Sequence, residues 1–340
     1  MKKKKMILIP VLMGMTIFTG CTGSTQESRG IYEPKEDIDE PEVVIATPTD
    51  APTPTEVPID PGVIDEPQPV EMTLTIDRIQ LESVDKDTRE DLNEPYPYAY
   101  TTFAQINLSG DAFYEWRGLQ DTLENINSDV YDKALSDLAD AYELYCSLDE
   151  DIRFYSCLKE ADVYVLRADE RVLSFRTAYY LSYDGPHPSM WDECRTFDPE
   201  TGRELTIDDV IDGPENMEKL TDLIWDNLIA CAVGDDYEFE DDQLKMIRSN
   251  LEDIVADRRL VWGLDSDGLV FYFDSDALMS YAFGPFEAAI SYADYPGFVK
   301  EKYLPTECSS LSKRVTYTDV DTVYWDLEGL LKITGRDTEH

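Results

Sequence analysis

IRFYSCLKEADVYVLRADERVLSFRTAYYLSYDGPHPSMWDECRTF, residues 152–197, contains three runs rich in β-branched and aromatic residues, at 152–166, 172–183 and 191–197. Arg167-Ala168-Asp169-Glu170 supplies a polar turn between the first two. Asp198-Pro199-Glu200-Thr201-Gly202, with Pro early and Gly late, supplies another after the third. Strands joined so tightly pair antiparallel, so the stretch predicts a meander.

Upstream, Met72-Thr73-Leu74-Thr75-Ile76 alternates as a strand, and residues 98–108 do so less regularly. Between these strands and the meander, Leu119, Leu123, Ile126, Val130, Ala134, Leu138, Tyr142 and Tyr145 recur every three or four residues. This spacing predicts an amphipathic helix of about seven turns. Downstream, a helix is expected from Pro214, which has no amide hydrogen to lose at a first helical position, with Met217, Leu220, Leu223, Ile224 and Leu228 inward. Another is expected from Asp241, carrying Leu244, Ile247, Leu251, Ile254 and Val255 on one face. Two short strands, 260–264 and 269–273, flank an Asp265-Ser266-Asp267-Gly268 turn. The expected class is α+β: an antiparallel meander sheet with a few packed amphipathic helices. No repeat of fixed period interrupts it.

The 340 residues include 72 Asp and Glu against 29 Lys and Arg, a formal charge of −43. Phosphate binding depends on Lys and Arg displacing counterions, so nucleic acid is excluded as a partner and an anionic membrane face is repelled. Residues 1–20 read as a signal: Lys2 to Lys5, an apolar run from Met6 to Phe18 too short for a comfortable span, then Thr19-Gly20. With Cys21 these residues resemble the lipobox of bacterial lipoproteins, which implies lipidation at Cys21 and a body outside the cytoplasm. Residues 21–70 form an acidic, Pro/Thr-rich tether. Positions 22–70 hold 9 of the 19 prolines and 12 acidic residues against Arg29 and Lys35 alone. Such a segment buries too little apolar area to offset its ordering entropy.

Six stretches of residues carry a further resemblance. Val172-Leu173-Ser174-Phe175 is followed by Tyr183-Asp184-Gly185-Pro186-His187-Pro188 and by Thr196 through Val210, including the Asp198–Gly202 turn. Later come Gly268 through Phe273, Tyr281-Ala282-Phe283-Gly284-Pro285 and Ile290-Ser291-Tyr292. Together they resemble a bacterial extracytoplasmic domain family that includes the lysozyme-sensing anti-sigma factor RsiV and the N-terminal region of the peptidoglycan deacetylase PdaC. Upstream, Tyr96-Pro97-Tyr98 through Ile106-Asn107 and the long helix resemble its companion half, so the resemblance covers residues 71–303 and implies a two-part module, 71–170 and 171–303, followed by a C-terminal extension, 304–340. It also implies a function by what is missing. Only five residues precede the apolar run, leaving no cytoplasmic segment to hold a sigma factor. The paired Asp and His ligands of a deacetylase are absent, since only His187 and His340 are histidines. A stand-alone, non-enzymatic binding lipoprotein is the expectation, for lysozyme or another basic protein or for peptidoglycan. A peptidoglycan-active hydrolase or a deacetylase accessory is the alternative. Tyr183, Gly185, His187, Pro188, Tyr281 and Gly284 are the candidate binding residues.

No catalytic set, metal site or cofactor is expected. Ser182 and Ser189 neighbour His187, but a nucleophile also needs an orienting acid, which proximity in sequence does not supply. Asp265-Ser266-Asp267-Gly268 opens like a calcium loop, yet no bidentate Glu closes it; Asp276 and Ala277 stand where the loop would end. The run from Asp235 to Asp242 reads as helix N-terminal charge. Trp191, Trp225, Trp262, Tyr179, Tyr180, Tyr281 and Tyr292 are expected mostly in the core, with some available to stack on sugars. Once Cys21 is acylated, Cys146, Cys157, Cys194, Cys231 and Cys308 leave an odd thiol, and spacing alone does not assign their pairing.

Overall fold

The computed structural model describes residues 70–84, 86–87, 96–147, 157–182, 188–234, 239–306 and 314–336. The elements in chain order are β1 (Leu74–Ser83), β2 (Lys86–Asp87), β3 (Tyr96–Pro97), β4 (Ala99–Leu108), α1 (Ala112–Glu115), α2 (Arg117–Ser147), β5 (Cys157–Ala168), β6 (Leu173–Ser182), β7 (Ser189–Phe197), α3 (Ile207–Val210), α4 (Pro214–Gly234), α5 (Asp241–Ala256), β8 (Val261–Leu264), β9 (Gly268–Phe273), β10 (Phe286–Ser291), β11 (Val315–Tyr317), β12 (Asp321–Trp325) and α6 (Leu327–Ile333). The protein is α+β.

The expected meander is β5-β6-β7. Its first turn closes with the Asp169 N–H donating to Val172 O at 3.0 Å, while the Asp169 side chain accepts from the Arg171 and Val172 amides, both at 2.9 Å. Among the described residues the meander belongs to a seven-stranded sheet in the order β11-β1-β4-β5-β6-β7, with β12 also on β1. The sheet is mixed. β4 meets β5 in parallel through the α2 crossover, and β1 takes β11 and β12 in parallel on its outer edge. Residues 315–317 and 321–325, beyond 303, are thus part of the sheet, and α6 packs its Leu330 and Leu331 with Leu135 and Leu138 of α2.

A second, three-stranded sheet, β10-β9-β8, carries α4 and α5. Every residue of β9 is buried. Leu269, Phe271 and Phe273 enter the core formed with Leu220, Ile224, Ile247 and Leu251, where each fully buried side chain contributes about 1.5–3 kcal/mol. Tyr272, facing the other way, lies 4.6 Å beneath the Arg176 guanidinium of β6. The Leu264 amide donates to Ser174 Oγ at 3.1 Å, and Ser174 bonds Thr196 at 2.9 Å, so polar contacts pin the small sheet to β6 and β7. The Asp265 turn forms as expected: Asp265 Oδ1 accepts from the amides of Asp267 and Gly268, both at 2.7 Å, so that carboxylate is committed to its own turn. Among the described residues no helix is long and apolar enough to cross a membrane.

Candidate functional site

The β6–β7 ladder decides which side chains converge. Tyr179 pairs with Trp191, and Tyr180 with Met190. Successive residues of a strand face opposite ways, so this ladder presents two surfaces.

On one surface, Met190 and Tyr281 are 37% and 40% exposed. Tyr281 opens a 3₁₀ turn, Tyr281–Phe283, that Gly284 ends with φ of 76°. The Tyr281 hydroxyl donates to Pro188 O at 2.9 Å, tying that turn to the start of β7. Ser275, Ser280, Ala282, Gly284 and Pro285 complete an open depression of about 760 Å³. Of the residues expected in a binding site, Pro188, Tyr281 and Gly284 are therefore brought together. Tyr183, Gly185 and His187 lie outside the described residues.

The same side of the ladder holds Arg176, Asp192 and Cys194. Arg176 Nε donates to Asp192 Oδ1 at 2.8 Å, and the Asp192 amide donates to Asp274 Oδ1 at 3.1 Å. Burial raises the Asp192 and Asp274 carboxyls above the ordinary aspartate value. Burial also pushes the Cys194 thiol up to about 12, so this free cysteine stays protonated and weakly nucleophilic at neutral pH. The side chains of Cys146, Cys157, Cys231 and Cys308 lie outside the described residues.

The opposite surface faces α2 and forms a groove of about 300 Å³. Its floor is built in cross-strand rows: Ala161, Tyr179 and Trp191, then Val163, Thr177 and Glu193. Its wall is Ile126, Asn127, Val130, Lys133, Ala134 and Asp137 of α2. Tyr179 and Trp191 stack at 4.8 Å with planes 9° apart, and Lys159 Nζ sits 5.5 and 5.8 Å from their centroids. Lys159 is held there by Asp137 at 2.5 Å, and Asp137 also takes Lys133 at 2.8 Å. Burial, with the Glu193 carboxylate beside it, raises the Tyr179 hydroxyl well above its usual value, so it remains a hydrogen-bond donor. Sequence pattern alone does not assemble this groove, although Trp191 and Tyr179 are among the aromatics it offers for stacking on sugars. Asn127 was the available signal: it follows Leu119 and Leu123 on the same helical stripe, where a buried polar side chain must have a partner.

Residues 208–293 match the family model described as Protein of unknown function (DUF3298). The matched segment runs from α3 through β10 and contains Tyr281 and Gly284, whereas the groove residues lie before it. Solved structures that resemble the chain include two of the same family description. A member of the DUF3298 family from Bacteroides fragilis has 19% identity and a TM-score of 0.43, over 68% of this chain and 96% of that one. A DUF3298 family protein from Pseudomonas aeruginosa has 14% identity and a TM-score of 0.41, over 68% and 97%. No curated protein matches the chain.

Proposed function

We propose that the protein is a non-enzymatic binding lipoprotein of the RsiV/PdaC-like kind, held by lipid at Cys21 on the outer face of a bacterial cytoplasmic membrane, and that the Met190–Tyr281 surface receives a cationic protein. The observation that carries this reading is the half-exposed Met190 and Tyr281, with the Tyr281 hydroxyl bonded to Pro188 O, on a strongly acidic body. Residues 71–340 hold 23 basic against 60 acidic residues, a formal charge of −37. A field of that sign speeds the encounter with a basic partner, and the apolar anchors supply the specific contact that exposed ion pairs do not. Lysozyme is the candidate the family resemblance offers.

Titrating the full chain with lysozyme by calorimetry should give saturable binding that survives 0.15 M salt, where screening acts over about 8 Å. Tyr281→Ala should weaken it by at least about tenfold, as for a central aromatic anchor. Binding that disappears at that salt, or that an unrelated basic protein matches, would sink the proposal. For the anchor, Cys21→Ala should move the protein from the membrane fraction to the soluble or medium fraction. Unchanged membrane retention of that variant would contradict the lipoprotein reading.

A further inference from the structure

The groove between α2 and the meander owes its existence to a break in the large sheet. β4 and β5 pair only where Ala99, Tyr100 and Thr101 meet Cys157, Leu158 and Lys159; beyond that the ladder stops. In a continuous sheet the Ile106 amide and carbonyl would meet a neighbouring strand. Here Asn127 Oδ1 accepts from the Ile106 amide at 2.9 Å and Asn127 Nδ2 donates to the Ile106 carbonyl at 3.0 Å. The Ala161 amide likewise turns to Thr102 Oγ1 at 3.4 Å. Asn127 is 8% exposed, so the helix sends a buried amide down to satisfy a strand edge. The side chains that face the gap, Ala104, Ala134 and Ala161, are too small to fill it. A second hollow of about 290 Å³ continues past Tyr100, Asp140 and Leu181, sharing Lys133, Asp137, Lys159 and Trp191 with the first.

The chemistry of the hollow narrows its occupant. Its deep part is aliphatic and aromatic, from Ile126, Val130, Val163 and Phe175. Its mouth is a flat aromatic pair bordered by hydroxyls and carboxylates: Thr177, Tyr179, Glu193 and Asp129. The cations nearby are already engaged. Lys133 and Lys159 hold Asp137, and Arg195 forms two bonds to Glu204 at 3.0 and 2.6 Å. A phosphate or a fatty-acid carboxylate would therefore meet the acceptors Glu193 and Asp129 without a cation to receive it, and Lys159 already lies beside the stacked rings, 5.5 and 5.8 Å from their centroids. A neutral polyol suits this mouth: its hydroxyls donate to the carboxylates and its C–H face lies on the ring of Trp191. The apolar depth then calls for a small apolar substituent on that polyol.

The geometry points to a saccharide groove for an N-acylated amino sugar, with the acyl group directed between Val130 and Val163 and two sugar units spanning the paired hollows. The site narrows the wall-component class of ligand to a sugar with an acylamino group. It is separate from the protein-binding surface because Trp191 and Met190 face opposite sides of β7.

The test uses the full chain in detergent, with N,N′-diacetylchitobiose as probe and cellobiose as the analogue lacking the acylamino groups. Tryptophan fluorescence and calorimetry should show saturable binding of the acetylated disaccharide with a dissociation constant of about 0.1–1 mM. Cellobiose should bind at least about tenfold more weakly, because it leaves the apolar depth empty. Trp191→Ala and Glu193→Gln should each weaken the acetylated sugar by about tenfold or more, while the lysozyme titration stays as in the parent. Tyr281→Ala should leave sugar binding unchanged, which separates failure of this site from failure of the protein-binding surface. Glu193→Gln alters an exposed side chain and keeps the test valid if the Trp191 variant does not fold. Absence of saturation by about 10 mM, equal affinity for cellobiose, or full binding by a folded Glu193→Gln and Trp191→Ala pair would overturn the assignment.

Discussion

Replacing Gly202 by alanine is expected to lower the unfolding free energy by about 3 kcal/mol or more, the range of changes that force overpacking onto a strained backbone. Gly202 has φ of +69°, and an added Cβ would lie 2.1 Å from Gly118 O and 2.8 Å from the Leu119 amide nitrogen. All the atoms it would strike are backbone, so no side-chain rotation relieves the clash. The 198–202 turn would have to move off the first turn of α2, breaking the bond from the Thr122 hydroxyl to Gly202 O at 2.9 Å. Gly284→Ala is the matched control. Its φ of +76° and ψ of −177° lie in a region essentially confined to glycine, yet nothing lies within 4 Å of the added atom, so only the backbone cost of about 1–3 kcal/mol applies. Chemical denaturation of the two variants checks the pair. Equal losses would mean that the turn is not packed against α2 as described.

The second large effect is expected at Asp169. Its side chain is 7% exposed, and its Oδ2 takes the Nε of Arg167, 4% exposed, at 2.5 Å. Arg167 Nη1 continues to Tyr303 O at 2.5 Å, joining the first meander turn to a segment more than a hundred residues later. Asp169→Ala would leave a buried guanidinium without its carboxylate and two turn amides without acceptors. Breaking one side of such a pair costs about 3–5 kcal/mol. Asp169→Asn keeps one acceptor oxygen for the Arg171 and Val172 amides and should recover part of the loss. A loss below about 1 kcal/mol for the alanine variant, read from urea midpoints, would refute the buried-pair account.

Much of this architecture is written in local pattern. The meander is legible because alternation and turn chemistry agree at Asp169 and at Asp198–Gly202. α4 is legible because Pro214 and an apolar stripe coincide, and the β8–β9 hairpin because Asp265 can cap its own turn. β11 and β12 give no such signal. They are three and five residues long, too short for an alternation to stand out, and acquire their identity only by pairing with β1. The parallel β4–β5 contact is equally silent, since nothing in either strand encodes its partner across a 31-residue helix. The candidate site divides the same way. Tyr281 and Pro188 are individually conspicuous, but their hydrogen bond joins positions 93 apart. The groove depends on where a ladder stops, and small residues such as Ala104 and Ala161 record that only after the fold places them side by side.

The parallel docking of β11 and β12 on β1 also sets an order of events during synthesis. Ile76 and Thr318, which bond through the Thr318 amide to the Ile76 carbonyl at 3.0 Å, are 242 positions apart. At about 5–20 residues per second, some 12–48 seconds separate the emergence of the first strand from that of its outer partner. For the last part of that interval, once β7 has emerged, the body holds a nearly complete sheet whose earliest edge is open to other chains. The charged Asp77 and Arg78 in the middle of β1 are placed where they would discourage such capture. Chains released before residue 325 would keep that edge uncovered, so early termination should yield self-associating fragments rather than shortened but soluble bodies.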